Sequence, residues 1–347
     1  MGSQSFLKNK VILFFSIQTF GLEFEIKEKL EELGASVTYY DERPANSIFF
    51  KGIIRLRRAM VQKRIDRYYL EILENSSKRK YDYLFVNRGE VVPEFFLEEF
   101  KKTHPNCIFI FYTWDSFTNH SHPIKILKYF DKKFTFDSDD AIKFELNLRP
   151  LFFLDKFKDL KDLVNINSKY NLIFLGTAHS DRYKISSEID SWCKNNDLTT
   201  YVYYYLQSRM VYLFKRVFDK SFKEFDFKKL SFKSLTLDTI LELYKVSDVI
   251  LDINHPLQKG LTMRTFEAVG AGKKLITTNA EIRKYCFFNP KNILVIDRNN
   301  INIDKSFFEL KYEDVGSEAY QKMSIEGWIY DIFCDSKSNS WIAGIKS

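Results

Sequence analysis

One stretch, residues 247–279, constrains the fold of this chain more than any other. It begins with an apolar run, Val249-Ile250-Leu251, which is typical of a buried strand, and it continues into a polar loop, 254–260. A short helical segment, 262–269, then leads through Gly-Ala-Gly into a second strand, 274–278. A strand, a loop, a helix and a strand within about 30 residues indicate a parallel crossover. We therefore predict an α/β fold built on parallel sheets.

The loop and the first helical turn of this stretch carry side chains that suit a phosphate ligand. In open parallel sheets, ligands bind beyond the carboxyl ends of the strands, where helix N-termini present free N–H groups. Two cations, a glycine and a helix start suit a diphosphate, and a Glu one turn further along suits ribose hydroxyls. We predict that a sugar nucleotide is bound here by His255, Gln258, Lys259, Gly260, Thr262, Arg264 and Glu267.

A purely structural interpretation of the same residues is also open. Cations at the mouth of a helix are commonly solvated, and Arg264 and Glu267 are three residues apart, so they can pair on the helix. The run 270–274 does not match a Walker phosphate loop, because Glu267 and Lys274 stand where that motif needs Gly and Ser or Thr. Its glycines are expected to end the helix and let it pack closely on the sheet.

Length and composition set limits on the class of protein. A chain of 347 residues suggests two domains, and the formal charge of +7 permits nucleic acid, anionic membranes or phosphorylated ligands as partners. The sequence has no zinc-finger or RNP-type pattern, no apolar run of membrane-spanning length and no signal-peptide stretch. Its four scattered cysteines have no metal spacing. We expect a cytoplasmic protein with neither a metal nor a nucleic-acid partner.

The chain reads as two α/β halves. In the first half, five strands are predicted at 11–15, 37–40, 83–87, 107–112 and 133–136. These strands form an N-terminal domain over 1–154, whose first loop lacks GxGxxG. Residues 155–169 are predicted as a linker and 170–316 as a second Rossmann-like domain. Residues 317–347 are predicted as a C-terminal helix and tail that pack back on the N-terminal domain.

The turn that follows the first strand of the second domain is another candidate phosphate site. Residues 176–182 are Gly-Thr-Ala-His-Ser-Asp-Arg. The small Gly176, together with Ser180 and Arg182 at the start of a helix, suits a phosphate group. Ser180 can equally be a plain helix N-cap.

Residues 51–80 have apolar side chains at helical spacing and are predicted as one amphipathic helix. Basic residues occupy its other faces: Arg55, Arg57, Arg58, Lys63, Arg64 and Arg67. These can be the solvated side of a core helix. Alternatively, they meet an anionic membrane surface or a lipid-diphosphate acceptor.

Several of these segments resemble a known family of enzymes. HPLQKGLTMRTFEAVGAGKKLITTN, NPKNILVID, FYTWDSFTNH and FTFDSDDA are similar to segments of bacterial lipopolysaccharide, O-antigen and capsule glycosyltransferases with a group-1-like donor domain. The resemblance spans about residues 81–300 and is most specific over 254–279. It implies the GT-B fold, in which two Rossmann-like domains face each other across a cleft. It places the nucleotide-diphosphate sugar on the C-terminal domain and the acceptor on the N-terminal one.

The resemblance also implies roles for particular residues. Glu267 would hold the ribose, Arg264 and Lys259 the diphosphate, and the loop at 176–182 would lie beside the donor. It further implies a UDP or GDP sugar as substrate, no cofactor or metal, and a glycan or lipid-linked acceptor at the inner face of the membrane. Many retaining members carry two Glu eight residues apart, but Lys259 stands eight before Glu267. Inversion and retention therefore both stay open.

An inverting transferase needs a carboxylate or His that accepts the proton of the acceptor hydroxyl. Asp115 is the first candidate, because it follows a predicted strand and stands beside Trp114, which could stack on a sugar. Glu90, at the end of another strand, is the second. Either carboxylate could instead cap a helix or bind Arg88. The alternative function is a non-catalytic module that binds a sugar nucleotide or polysaccharide within an assembly complex.

Overall fold

Two six-stranded sheets, each entirely parallel, form the framework of the protein. The structure is a computed structural model that describes residues 5–161, 163, 168–219, 222, 225–334 and 341–342. The chain divides into a first unit, Met1–Pro150 with Ile325–Ser347, and a second unit, Leu151–Ser324. The predicted α/β class is confirmed.

The first sheet has the strand order β2-β1-β3-β4-β5-β6. Its strands are β1 (Val11–Ser16), β2 (Ser36–Asp41), β3 (Tyr83–Asn87), β4 (Ile108–Thr113), β5 (Lys132–Thr135) and β6 (Asn147–Leu148). Five of them match the predicted strands, since strands buried on both faces of a parallel sheet have continuous apolar runs. The sixth strand has only two residues and shows no such run.

The second sheet has the order β12-β11-β10-β7-β8-β9. Its strands are β7 (Tyr170–Thr177), β8 (Thr200–Tyr205), β9 (Leu230–Ser231), β10 (Ser247–Asp252), β11 (Lys274–Thr277) and β12 (Ile293–Val295). If β7 to β12 are numbered 1 to 6 and the sheet is read from β9, the strand order is 3-2-1-4-5-6, which is that of the Rossmann fold. The sheet therefore has a topological switch point between β7 and β10.

Helices cover the two sheets. In chain order they are α1 (Leu22–Glu32), α2 (Ile48–Arg57), α3 (Gln62–Ser76), α4 (Glu94–Thr103), α5 (Ser138–Lys143), α6 (Asp155–Lys161), α7 (Arg182–Asn195), α8 (Arg209–Phe218), α9 (Leu237–Lys245), α10 (Met263–Gly270), α11 (Ser306–Glu309), α12 (Ser317–Met323) and α13 (Ile325–Phe333). None of the helices in the described ranges is long and apolar enough to cross a membrane.

The single helix predicted over 51–80 is wrong. Helices α2 and α3 are separated by a 3₁₀ turn, Arg58–Val61. Arg58 donates hydrogen bonds from its guanidinium group to the carbonyl oxygens of Glu90 and Val91, both at 3.1 Å, and so it holds the turn against the loop after β3. Met60, predicted on the apolar face, is exposed. The side chains of Lys51 and Arg55 lie outside the described residues.

The structure divides the predicted linker and tail differently. Helix α6 occupies the first part of 155–169, and its buried Phe157 contacts the ring of Tyr244. Residues 162 and 164–167 lie outside the described residues. The predicted terminal helix is two helices, of which α12 belongs to the second unit and α13 to the first.

Close packing of α10 depends on a glycine at its end. A Cβ atom at Gly270 would lie 2.6 Å from the ring of Phe153, which is well inside van der Waals contact. Gly272, two residues later, has φ of +61°, a left-handed conformation that L side chains rarely adopt. The glycines of the run 270–272 therefore end the helix and let it pack, as the sequence predicts.

We expect Gly270→Ala to lower the free energy of unfolding by about 1–3 kcal/mol, because the added methyl overlaps the Phe153 ring. Gly52→Ala in α2 is the matched control, since a Cβ there meets no atom within 4 Å. Alanine is favoured over glycine inside a helix by about 1 kcal/mol, so this control should be neutral or stabilising. Urea unfolding measures both variants. Equal stability of the two would contradict the close packing at Gly270.

Candidate functional site

The loops that follow β7 and β10 meet at the switch point of the second sheet. Arg182, the first residue of α7, donates from Nε to the carbonyl of Ile253 at 2.8 Å and from Nη1 to that of Thr177 at 3.2 Å. The rings of His179 and His255, one on each loop, have centroids 5.7 Å apart. The structure therefore brings the two predicted phosphate-binding segments together at one edge of the sheet.

Three arginines and three carboxylates gather at this edge. The arginines are Arg182, Arg264 and Arg298, and the carboxylates are Asp181, Asp252 and Glu267. Arg298 forms an ion pair with Asp181 at 2.7 Å, and burial lowers the pKa of Arg182 to about 10. Burial raises the pKa of Asp252, although Arg264 opposes that shift. The cluster has the positive groups that a diphosphate needs.

Arg264 and Glu267 do not pair directly in the described part of the chain. The hydroxyl of Tyr244, on α9, donates to Glu267 Oε2 at 3.1 Å. Burial raises the pKa of Glu267. The buried Nε of Arg264 has no hydrogen-bond partner among the described residues. That N–H group is therefore an unsatisfied donor at this edge of the sheet.

The remaining residues of the predicted site have structural contacts of their own. Gln258 donates to the carbonyl of Gly260 at 2.9 Å, and Thr262 donates to Asp252 Oδ1 at 2.9 Å. Lys259 is half exposed and forms an ion pair with Glu281 at 3.5 Å. These contacts fix the shape of the loop and leave the Lys259 ammonium group at its surface.

The turn after β7 differs in detail from the predicted one. Gly176 lies beside the Phe174 ring, where a Cβ atom would approach to 2.6 Å, so packing alone requires a small residue. The N-cap of α7 is Asp181, and Ser180 precedes it with φ of 50°. The interpretation of Ser180 as a plain N-cap is therefore wrong. Its hydroxyl contacts His179 Nδ1 at 3.0 Å.

A second candidate site is a cavity of about 610 Å³ in the first unit. It is lined by Ile54, Arg58, Glu90, Asp115, Asn119, His120, Ser121, His122 and Lys125. Both predicted catalytic carboxylates are among these residues, and they follow the neighbouring strands β3 and β4. The cavity thus lies at the carboxyl edge of the first sheet.

The two carboxylates differ in accessibility. Asp115 forms an ion pair with Arg88 Nε at 2.9 Å, and its side chain is 30% exposed. Glu90 is buried, pairs with Arg43 and lies 3.7 Å from Arg88. Burial alone would raise the pKa of Glu90, but the guanidinium groups of Arg88 and Arg43 outweigh it and lower that pKa. Glu90 is therefore held as a buried, paired carboxylate, and the more exposed Asp115 is better placed to meet a ligand.

Sequence reasoning missed several residues around this cavity. Glu42 is fully buried and accepts the N–H groups of Gly89 and Glu90 at 2.8 and 2.6 Å. His120 and His122 follow the loop after β4, a position where polar residues could have been suspected. Burial lowers the pKa of His122 to about 4, so its imidazole is neutral near pH 7. Arg298, in the second unit, could have been found by the same rule, since it follows β12.

Comparison with known proteins identifies the fold. No family model and no curated protein matches the chain. An α-glucosyltransferase solved with UDP and a mismatched 13-mer DNA is 14% identical over 94% of this chain and 97% of its own, with a TM-score of 0.56. A glycosyltransferase from Rickettsia africae ESF-5 is 13% identical over 94% and 95%, with a TM-score of 0.52. Anabaena HepE with UDP-glucose is 10% identical over 93% and 98%, with a TM-score of 0.51.

At these low identities the likeness establishes the fold, which is the GT-B fold that the sequence predicts. No three His, Cys, Asp or Glu side chains gather to hold a metal ion among the residues that the structure describes. The switch-point cluster belongs to the second unit and the cavity to the first.

The lowered pKa of His122 predicts acid sensitivity of the first unit. An unfolded histidine titrates near pH 6.5, whereas His122 in the fold titrates near pH 4, so the unfolded chain binds more protons between these values. Its contribution to stability is complete above about pH 6.5 and is lost as the pH falls towards 4, by up to about 3 kcal/mol.

Urea unfolding near pH 7 and near pH 5 tests this for the wild type and for His122→Asn, which retains a donor for the Val92 carbonyl. The variant should lose less stability on acidification. An identical pH dependence of the two proteins would contradict the assignment to His122.

Proposed function

We propose that the protein is a glycosyltransferase that moves a sugar from a nucleotide-diphosphate donor to a glycan or lipid-linked acceptor. The arginine-lined switch point in one unit of a GT-B chain is the observation that carries the proposal. Two proteins of similar fold were solved with UDP or UDP-glucose, which supports a UDP-type donor. The resemblance of the sequence motifs supports a role in bacterial surface polysaccharide synthesis.

The donor diphosphate is proposed to lie against the arginine cluster and the first turn of α10. Helix N-termini bind anions, because their N–H groups have no partner within the helix. The Nε of Arg264 supplies a buried donor. The ion pair between Lys259 and Glu281 can break with little loss of stability, since exposed ion pairs contribute little, and Lys259 can then reach the diphosphate. Glu267 is proposed to accept hydrogen bonds from the ribose.

These groups also explain how the reaction is accelerated. As the bond between the anomeric carbon and the phosphate oxygen breaks, negative charge accumulates on the leaving diphosphate. Preorganised cations stabilise that charge more in the transition state than in the bound donor. In this proposal the arginines perform the role without a metal ion.

The acceptor is proposed to bind in the cavity of the first unit, with Asp115 as the general base. In an inverting reaction, the Asp115 carboxylate takes the proton of the acceptor hydroxyl. The oxygen of that hydroxyl bonds to the anomeric carbon as the bond from this carbon to the diphosphate breaks. In a retaining reaction, the leaving phosphate oxygen takes that proton instead. Ser121 and Lys125, which line the cavity, can orient a polar acceptor.

We expect Glu267→Gln to weaken the binding of UDP by about 10- to 100-fold, because hydrogen bonds to a charged group contribute about 1.5–3 kcal/mol. Titration calorimetry with UDP and GDP measures the effect and also identifies the base. Asp115→Asn, in the other unit, is the matched control and should bind UDP like the wild type. Unchanged affinity in Glu267→Gln would exclude the donor assignment.

Asp115→Asn is expected to lower turnover by about 10²–10⁴-fold, the usual contribution of a general base, with donor affinity nearly unchanged. Release of UDP from UDP-sugars in the absence of acceptor provides the assay, and a melting curve confirms that the variant is folded. Glu90→Gln is the comparison variant. If it is folded and inactive while Asp115→Asn is active, Glu90 is the base.

Two further results would redirect the proposal. Full activity of both variants would favour the retaining route, in which the protein need not supply the base. Tight donor binding without hydrolysis or transfer would favour a non-catalytic sugar-nucleotide module. The association of residues 51–80 with an anionic membrane remains a prediction. Arg58 is not expected to take part in it, because its guanidinium group is hydrogen-bonded to backbone carbonyls.

A further inference from the structure

Helix α8 of the second unit turns its apolar face outward. Five large apolar side chains on this helix are between 58% and 75% exposed: Met210, Leu213, Phe214, Val217 and Phe218. Their spacing of three and four residues places them along one face of the helix. A helix on the surface of a globular domain normally turns such a stripe towards the core. Scattered exposed apolar residues are ordinary, but a contiguous patch of them marks an interaction site.

The orientation of α8 is fixed by its inner face. Tyr212 is buried and contacts the rings of Phe222 and Phe227. At the start of the helix, the Ser208 hydroxyl accepts a hydrogen bond from the N–H of Val211 at 3.2 Å. The helix is therefore anchored to its unit, and the outward direction of the apolar stripe follows from that packing.

Cations border the stripe. Helix α8 has no acidic residue and carries the exposed Arg209 and Arg216, together with Lys215, whose ammonium group lies over the ring of the buried Phe222. The adjacent 3₁₀ turn, Phe227–Lys229, contacts Tyr212 through its Phe227 ring and adds two exposed lysines. Among the described residues, the acidic neighbours include Asp219, after the helix, Asp226, whose carboxylate accepts the N–H of Lys228, and Asp190, which interacts with Lys229. The border of the stripe is therefore predominantly positive.

We propose that α8 is an interfacial helix that lies flat on an anionic lipid bilayer, with its apolar stripe at the boundary between headgroups and acyl chains. An apolar face bordered by Lys and Arg is the pattern that such helices share. The cations on the border pair with lipid phosphates at the surface. This membrane surface goes beyond the transfer reaction and does not rest on it.

The size and charge of the surface favour lipid over a second copy of the chain. A helix of ten residues is about 15 Å long, whereas a stable protein interface buries roughly 800 Å² on each partner. Two copies meeting through this stripe would also bring their positive borders together. A lipid surface has no such minimum area and supplies the opposite charge.

Helix α8, and not the segment 51–80, is the surface that we assign to the membrane. In that segment, Ile65, Tyr69 and Ile72 of α3 are buried against the first sheet, so its main apolar face is already covered. Among the side chains of this segment that the structure describes, the exposed large apolar ones are the isolated Met60 and Leu70. Helix α8 thus has the larger continuous apolar surface.

Sedimentation of the full chain with vesicles tests the proposal. Vesicles of phosphatidylcholine alone are compared with vesicles that also contain phosphatidylglycerol, at low and high salt. Wild-type protein should bind the anionic vesicles and lose binding as salt screens the charges. Phe214→Ser with Phe218→Ser should reduce the bound fraction at least tenfold. Lys228→Gln with Lys229→Gln should weaken binding at low salt by about fivefold for each charge removed.

A double variant in the first unit and outside 51–80, Phe24→Ser with Ile142→Ser, is the matched control, because both residues are also exposed, at 47% and 65%. It should bind like the wild type, and melting curves establish that all variants are folded. Absent binding, equal binding to neutral vesicles, or undiminished binding of the Phe214 and Phe218 variant would overturn the proposal. A dimer that this variant abolishes, without vesicle binding, would assign the stripe to a second copy instead.

Discussion

Two buried carboxylates, Glu90 at the carboxyl edge of the first sheet and Asp252 at that of the second, depend on guanidinium groups to match their charge, and the loops around them supply those groups. In the first unit, Glu90 pairs with Arg43, and in the second, Asp252 is compensated by Arg264 and Arg182. A buried charge that loses its partner is strongly destabilising. These charge pairs therefore help to hold the loops that carry them in shape.

The polar groups at the carboxyl edges of the two sheets are arranged differently. In the second unit, Glu267 accepts a hydrogen bond from Tyr244, and the buried Nε of Arg264 has no hydrogen-bond partner among the described residues. In the first unit, Arg88 lies against Asp115, whose carboxylate stays accessible. The unpartnered Arg264 donor suits the binding of an anion, and the accessible Asp115 carboxylate suits a neutral hydroxyl. Both assignments agree with the division of labour that the GT-B resemblance implies.

The sequence predicted most strands, since buried parallel strands leave continuous apolar runs. It failed where a tertiary contact decides the structure: Arg58 breaks the helix predicted at 51–80 by bonding to carbonyls more than 30 residues away. The pairing of Arg43 with Glu90 spans 47 residues and has no local signal. The outward-facing apolar stripe of helix α8 was missed, because periodicity alone does not reveal the direction in which such a stripe points. The residues at strand ends were found because parallel sheets align those ends.

The bonds of Glu42 have a consequence for engineering. Its carboxylate holds the peptide groups of Gly89 and Glu90, while Arg88 adopts φ of 101°, an unusual conformation for a residue other than glycine. The conformation of the loop after β3 therefore depends on a side chain that lies on a different loop. A designer who transplants this loop into another scaffold must move residues 42–43 with it. The two segments form a single exchangeable module, although they are far apart in the chain.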